Sequence, residues 1–210
     1  MSLFEEPLRH VRSWLVRLSA ASLVALLLAA LVIQLAYPRV GPADAALQIK
    51  PSPERLKRGE YLTLHVAECL TCHSLHDWTR FGAPVQAGSR FAGGQPIFDQ
   101  RLGFPGRFPP GNLTPYGLGR YSDGALVRVL RTGVTAEGEP LLPRMPYRLY
   151  RSMSQEDLYS LVVYLRSLPV QVHHVPKHQP DWDYAMKLRL EPAEAGPFGG
   201  GVLAECCGGL

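Results

Sequence analysis

The longest feature in the pattern of apolar and polar positions runs from Ser19 to Tyr37, SAASLVALLLAALVIQLAY, without a charge and with Gln34 its strongest polar interruption. About twenty such residues wound as a helix cross a hydrocarbon core of roughly 30 Å. A helix apolar on every side offers no face to water, so the run is expected to span a membrane. A cleaved signal peptide has a shorter apolar region, about 7–15 residues, and a small-residue cleavage site. Leu35-Ala36-Tyr37-Pro38 is a poor site of that kind, although Ala43-Asp44-Ala45 would serve, so an uncleaved anchor over 19–37 is expected. Arg9, Arg12 and Arg17 precede the run, and only Arg39 follows it before Lys50. Basic residues stay inside, which places residues 1–18 in the cytoplasm and the rest of the chain outside, in the periplasm of a bacterium.

Residues 38–53 read as a linker rich in Pro and Ala, and three amphipathic stretches follow. In 54–68, Leu56, Gly59, Leu62 and Val66 share one face and run into Cys69. Gly59 costs a helix about 1 kcal/mol against Ala, which implies a close crossing with another helix. Ser122 is placed to cap a short helix carrying Leu126, Val129 and Leu130, stopped by Gly133. Ser154-Gln155-Glu156-Asp157 resembles a capping box opening a helix with Leu158, Leu161, Val162, Leu165 and Leu168, which ends before Pro169. No alternating strand pattern stands out, so 54–170 is expected to be a small all-α domain. The stretch from Phe81 to Pro110 has no period and reads either as a surface loop or as cover for a site. Residues 171–210 read as an extended tail, its last nine residues freed by Gly199-Gly200-Gly201.

Composition narrows the classes. Hydrophobic residues at 46% and charged residues at 19% exclude a disordered chain. Gly 20 and Pro 19 without a Gly-X-Y period exclude collagen and imply a loop-rich domain. The net charge of +4 comes from scattered Lys and Arg, so no nucleic-acid partner is expected.

The candidate chemistry lies in Cys69-Leu70-Thr71-Cys72-His73. Positions i and i+3 share one helix face, so both thiols reach one edge of a planar cofactor, and His73 follows as a proximal iron ligand. This spacing is the attachment motif of haem c, and one covalently held haem is expected. A thioredoxin-type site needs alternating strands and helices, which are missing. A zinc site needs a second ligand pair at knuckle spacing, and adjacent Cys206 and Cys207 do not supply it. The candidates for the sixth ligand are Met1, Met145, Met153 and Met186. Met145 lies in Pro143-Arg144-Met145-Pro146-Tyr147, stiffened on both sides, and is expected to face His73 across the iron. His65 and His76 are too near the attachment turn, whereas His173, His174 and His178 form a tail cluster that competes with Met145.

In this order the motifs resemble a class I cytochrome c. Asn112-Leu113-Thr114-Pro115, Gly117-Leu118-Gly119, Ser122-Asp123, Met145-Pro146-Tyr147, Glu156-Asp157-Leu158 and Tyr164-Leu165-Arg166-Ser167-Leu168-Pro169 resemble, more narrowly, the cytochrome c subunits of periplasmic membrane-bound dehydrogenases. The resemblance covers roughly 54–170. It implies single electrons carried from a periplasmic donor towards quinone or an oxidase, by a subunit of a respiratory or dehydrogenase complex that is not itself a catalyst. Those subunits typically hold three haem domains, whereas this chain has one Cys-x-x-Cys-His, and Tyr121 stands where they show Trp. Axial ligands from both His73 and Met145 leave no vacancy for a substrate. The rival class is a haem enzyme or gas sensor with an open or displaceable sixth position. From Lys50 to Leu168 fifteen Lys and Arg stand against ten Asp and Glu, a surface suited to an acidic redox partner at the membrane.

Overall fold

The computed structural model describes residues 5–36, 39–95, 99, 102–192, 195, 196, 198 and 199. Tyr37, Met1, Cys206 and Cys207 lie outside the described residues. The chain divides into two units, 1–37 and 38–210. The first is a single helix, α1 (Glu5–Ala36). Its segment His10–Ala36, 27 residues, is long and apolar enough to cross a membrane, alone among the described residues in this, and none of it is buried within the chain.

The second unit is mostly helical. Its frame is the crossing of α2 (Pro53–Tyr61) with α7 (Gln155–Ser167). Ser52 Oγ accepts from the Arg55 amide and Ser154 Oγ from the Asp157 amide, so both helices start at a side-chain cap. Gly59 is where they touch: a Cβ there would strike Ser160 O and lie 2.8 Å from Tyr164 Cβ. Arg55–Glu156 at 2.8 Å and Arg58–Asp157 at 2.7 Å bracket the crossing. α5 (Asp123–Thr132) is capped by Ser122 and stopped by Gly133, whose φ of 73° suits glycine. Leu62, Leu126, Leu130, Tyr150, Leu158, Leu161 and Val162 close the core between these helices.

The expected face of the first helix needs correcting. Gly59 and Leu62 are buried, but Leu56 is 40% and Val66 55% exposed. After Tyr61 the chain widens into a π-helical turn over Leu62–Val66, closed by Ala67 N–H to Leu62 O at 2.7 Å. The wider turn shifts the register, and Thr63 is buried in place of Val66. Packing also begins earlier than residue 54. Leu47 and Ile49 lie on the core, and the Ile49 amide donates to Asp123 Oδ2 at 2.9 Å. Asp123 is in turn held by Arg166, which also donates to the carbonyls of Leu118 and Tyr121.

Short elements complete the unit: α3 (Cys69–Cys72), α4 (Pro115–Leu118) and α6 (Tyr147–Tyr150). One antiparallel ladder joins β1 (Gly106–Arg107) to β2 (Gln179–Pro180), with Gly106 opposite Pro180. Two residues per strand leave no alternation to read in a sequence. The tail is not extended throughout. Residues 182–190 wind into α8 (Trp182–Leu190), whose Leu188 packs with Phe108 and Leu142 in a second small core.

Candidate functional site

The π-helical turn ends at Ala67, whose carbonyl accepts from the buried Tyr150 hydroxyl at 3.1 Å. Glu68 then takes φ of 47°, and the chain reverses into α3. Thr71 N–H to Glu68 O and His73 N–H to Cys69 O hold the single turn that sets Cys69, Cys72 and His73 in succession. Both cysteines are free and half-buried.

A long irregular segment wraps this turn. Gly93 N–H donates to His73 O, Gly94 N–H to Pro110 O, and Phe91 N–H to Ser74 Oγ. A Cβ on Gly94 would strike Cys72 O, so glycine permits the close approach. His73 Nδ1 meets Gly111 O at 2.7 Å. A carbonyl only accepts, so Nδ1 carries the proton and Nε2 keeps its lone pair for a metal. The stretch 81–110 is therefore part cover and part loop: Phe91 and Phe108 are buried, while Phe81 is fully exposed.

Met145 comes from the loop between α5 and α6. Its amide donates to Leu142 O, and its carbonyl accepts from Tyr147 N–H at 2.8 Å. Tyr147 is completely buried and lies against Gly133, where a Cβ would come within 2.5 Å of the ring. Leu141 N–H to Gly133 O ties the same loop to the end of α5.

Cys69, Cys72, His73 and Met145 all line one cavity, whose empty space together with its open mouth is about 810 Å³. Leu130, Tyr150 and Leu165 also line it, as do Phe108, Pro110, Leu113 and His178. Burial pushes the Cys69 thiol up to about 12. Burial raises Cys72 as well, against the pull of nearby Arg144. Desolvation lowers His73 below the ordinary imidazole value, against the bond to Gly111 and with His178 adding to the effect. A neutral imidazole is the form that ligates a metal.

The other candidates fall elsewhere. Met153 packs on the core and Met186 lies in α8. His65 stacks near Tyr61, His76 lies between the carbonyls of Thr71 and Ala83, and His173 donates to Ala92 O. Only His178 of the tail cluster lines the cavity, and nothing in its spacing marks it out. Among the described residues, no three His, Cys, Asp or Glu side chains gather as a metal site of their own.

No protein-family model matches the chain. It is similar to the gluconate 2-dehydrogenase cytochrome c subunit of Pantoea cypripedii, 36% identical over 112 residues, which are 52% of this chain and 22% of that protein. The fructose dehydrogenase cytochrome subunit of Gluconobacter japonicus is 30% identical over 140 residues, 64% of this chain and 26% of that protein. Both of these relatives are cytochrome subunits of dehydrogenases. The alcohol dehydrogenase (quinone) cytochrome c subunit of Gluconacetobacter polyoxogenes is a third, 29% identical over 151 residues, 70% of this chain and 27% of that protein. The chain thus spans about a quarter of the length of these curated relatives. Such relatives imply haem c, and the free thiol pair, the Nε2 lone pair, the thioether and the apolar cavity are the donor set that group requires.

Proposed function

We propose that the chain is a membrane-anchored cytochrome c of class I, holding one haem c and passing single electrons between redox partners in the periplasm. The observation that carries this reading is the convergence of Cys69, Cys72, His73 and Met145 on one apolar cavity. Cys69 and Cys72 would hold the haem covalently, with His73 Nε2 and Met145 Sδ on the iron. When bound, the haem supplies a one-electron couple, and thioether ligation raises its potential relative to two nitrogen ligands. The chain's own work is positional. Gly111 O keeps the His73 proton on Nδ1 in both oxidation states, so no proton need move with the electron. The Met145 loop is stiffened by Pro146 and by buried Tyr147, which suits a weak ligand that must stay in place. Leu130, Leu142 and Leu165 keep water from the interior.

Among the described residues lining the cavity, Glu68 is the one carboxylate. A haem enzyme using a carboxylate pair as acid and base would find no pair there, which favours the carrier over such an enzyme. In this reading α1 is a single-pass anchor in the bacterial inner membrane, 38–53 is the tether, 54–170 the haem domain and 171–210 the tail. The partner is a subunit of a respiratory or dehydrogenase complex, by analogy with the relatives' names. The basic balance of the domain suits an acidic face on that partner.

Covalent attachment is the first test. Chain purified from membranes should keep its haem through denaturation and give a c-type pyridine haemochrome, and a Cys69→Ala, Cys72→Ala double variant should lose it. Release of the group from the unaltered chain on denaturation would overturn the reading.

A further inference from the structure

We propose that the strap formed by residues 171–181 is a wall of the haem site on the His73 side, and that His178 is a positioning residue for His73. The inference rests on the reading that haem c occupies the cavity, and extends the site into a segment beyond the resemblance to cytochrome c.

The strap's anchors converge on the segment that wraps the Cys72–His73 turn. Gln171 N–H donates to Thr114 Oγ1, and Asn112 Nδ2 donates to the carbonyls of Gln171 and His173 at 2.9 and 3.1 Å. His173 Nδ1 donates to Ala92 O at 2.8 Å, and Asp181 N–H to Pro105 O at 3.0 Å. Two glycines make the contact possible. A Cβ on Gly93 would run into Val175 Cγ2, and one on Gly106 would strike Gln179 O and lie 2.6 Å from Pro180 Cα. Both have left-handed φ, 104° and 128°. A segment laid this closely on so many backbone groups is part of the fold rather than a loose end.

His178 is the strap's residue at the cavity. Its ring stands edge-on to Phe108, centroids 5.7 Å apart, and its Nε2 donates to Pro109 O at 3.3 Å. It thus closes the wall two residues from Gly111, whose carbonyl holds His73 Nδ1. Beyond it, Leu188 of α8 packs on Phe108 and on Leu142, the residue that accepts from the Met145 amide. The strap and the helix after it therefore brace both ligand loops. Water at Gly111 would compete for the Nδ1 proton and would favour the more highly charged oxidised iron. A dry wall keeps the potential high, since burial and hydrogen bonds to the ligand are what the protein uses to set it.

The test uses the haem-loaded full chain and reads the reduction potential by spectroelectrochemistry, with exchange of the His73 Nδ1 proton into heavy water followed by NMR in the reduced state. His178→Ala should move the redox equilibrium about tenfold towards the oxidised form, about 59 mV downward for one electron, and speed the exchange. His178→Phe restores the bulk without the hydrogen bond and should return the equilibrium to within about threefold of the unaltered chain. Gly106→Ala lifts β2 from outside the cavity and should shift the potential in the same direction as His178→Ala. It carries the test should the latter load no haem. Loaded His178→Ala or Gly106→Ala at the unaltered potential and exchange rate would overturn the inference. An unaltered chain that holds no covalent haem would overturn the functional reading instead.

Discussion

At the α2–α7 crossing the chain holds itself with periodic side chains, whereas around His73 it does so with carbonyls and amides drawn from segments far apart in sequence. The crossing buries Leu158, Leu161 and Val162 over a few turns of regular helix, with a cap at each start. The wall around His73 has almost no regular structure. Gly93, Gly111 and Asn112 come from one irregular stretch, and their partners lie at His73 and at 171–173. The first region needs only water outside it to be stable. The second orders ligands at the edge of a cavity and depends on every polar group finding its partner.

Three substitutions sharpen that contrast. Gly59→Leu should be the most damaging, at about 3 kcal/mol or more by chemical denaturation, because the obstacle is the Ser160 backbone and not a movable side chain. A loss below about 1 kcal/mol would mean that the helices separate without penalty, and the contrast would fail. Asn112→Ala comes next. It strips partners from the Thr114 amide and hydroxyl and from two strap carbonyls, which predicts a loss of about 1–3 kcal/mol. Hydrogen exchange should locate that loss at 112–114 and 171–173 and leave α2 and α7 protected; uniform loosening would make the two regions one.

Arg55→Ala should do least. An exposed ion pair contributes about 0.2–1 kcal/mol, and Glu156 is well exposed. The hydrogen bond from Arg55 holds the Glu156 carboxyl below its ordinary value of 4.5. A carboxyl lowered by folding stabilises above its unfolded value and loses that contribution as pH falls through its folded one. The gap between Arg55→Ala and the unaltered chain should therefore be present at neutral pH and close in acid. A gap independent of pH would assign it to lost packing on Tyr159, over whose ring the guanidinium also lies.

The same contrast explains what could be read in advance. Caps at Ser122 and Ser154, the stop at Gly133 and the contact at Gly59 rest on local chemistry, and each is visible from a few neighbouring residues. Cys69, Cys72, His73 and Met145 declare themselves by residue type and rigid surroundings, and they share one cavity. The exposure of Leu56 and Val66 was hidden, since nothing in LTLHV announces a π-helical turn. Leu47 and Ile49 looked like linker because two apolar residues among prolines show no period. His178 and the strap were hidden for a deeper reason: His173, His178 and Asp181 bond to backbone carbonyls far along the chain, and a carbonyl leaves no mark in a sequence.

Optical absorption of the purified chain, oxidised, reduced with dithionite and then exposed to carbon monoxide, tests the central claim most directly. The account predicts a c-type reduced spectrum that carbon monoxide leaves unchanged, because His73 and Met145 would both hold the iron. Prompt binding of carbon monoxide would contradict it, and would return the site to an enzyme or a sensor with an open sixth position.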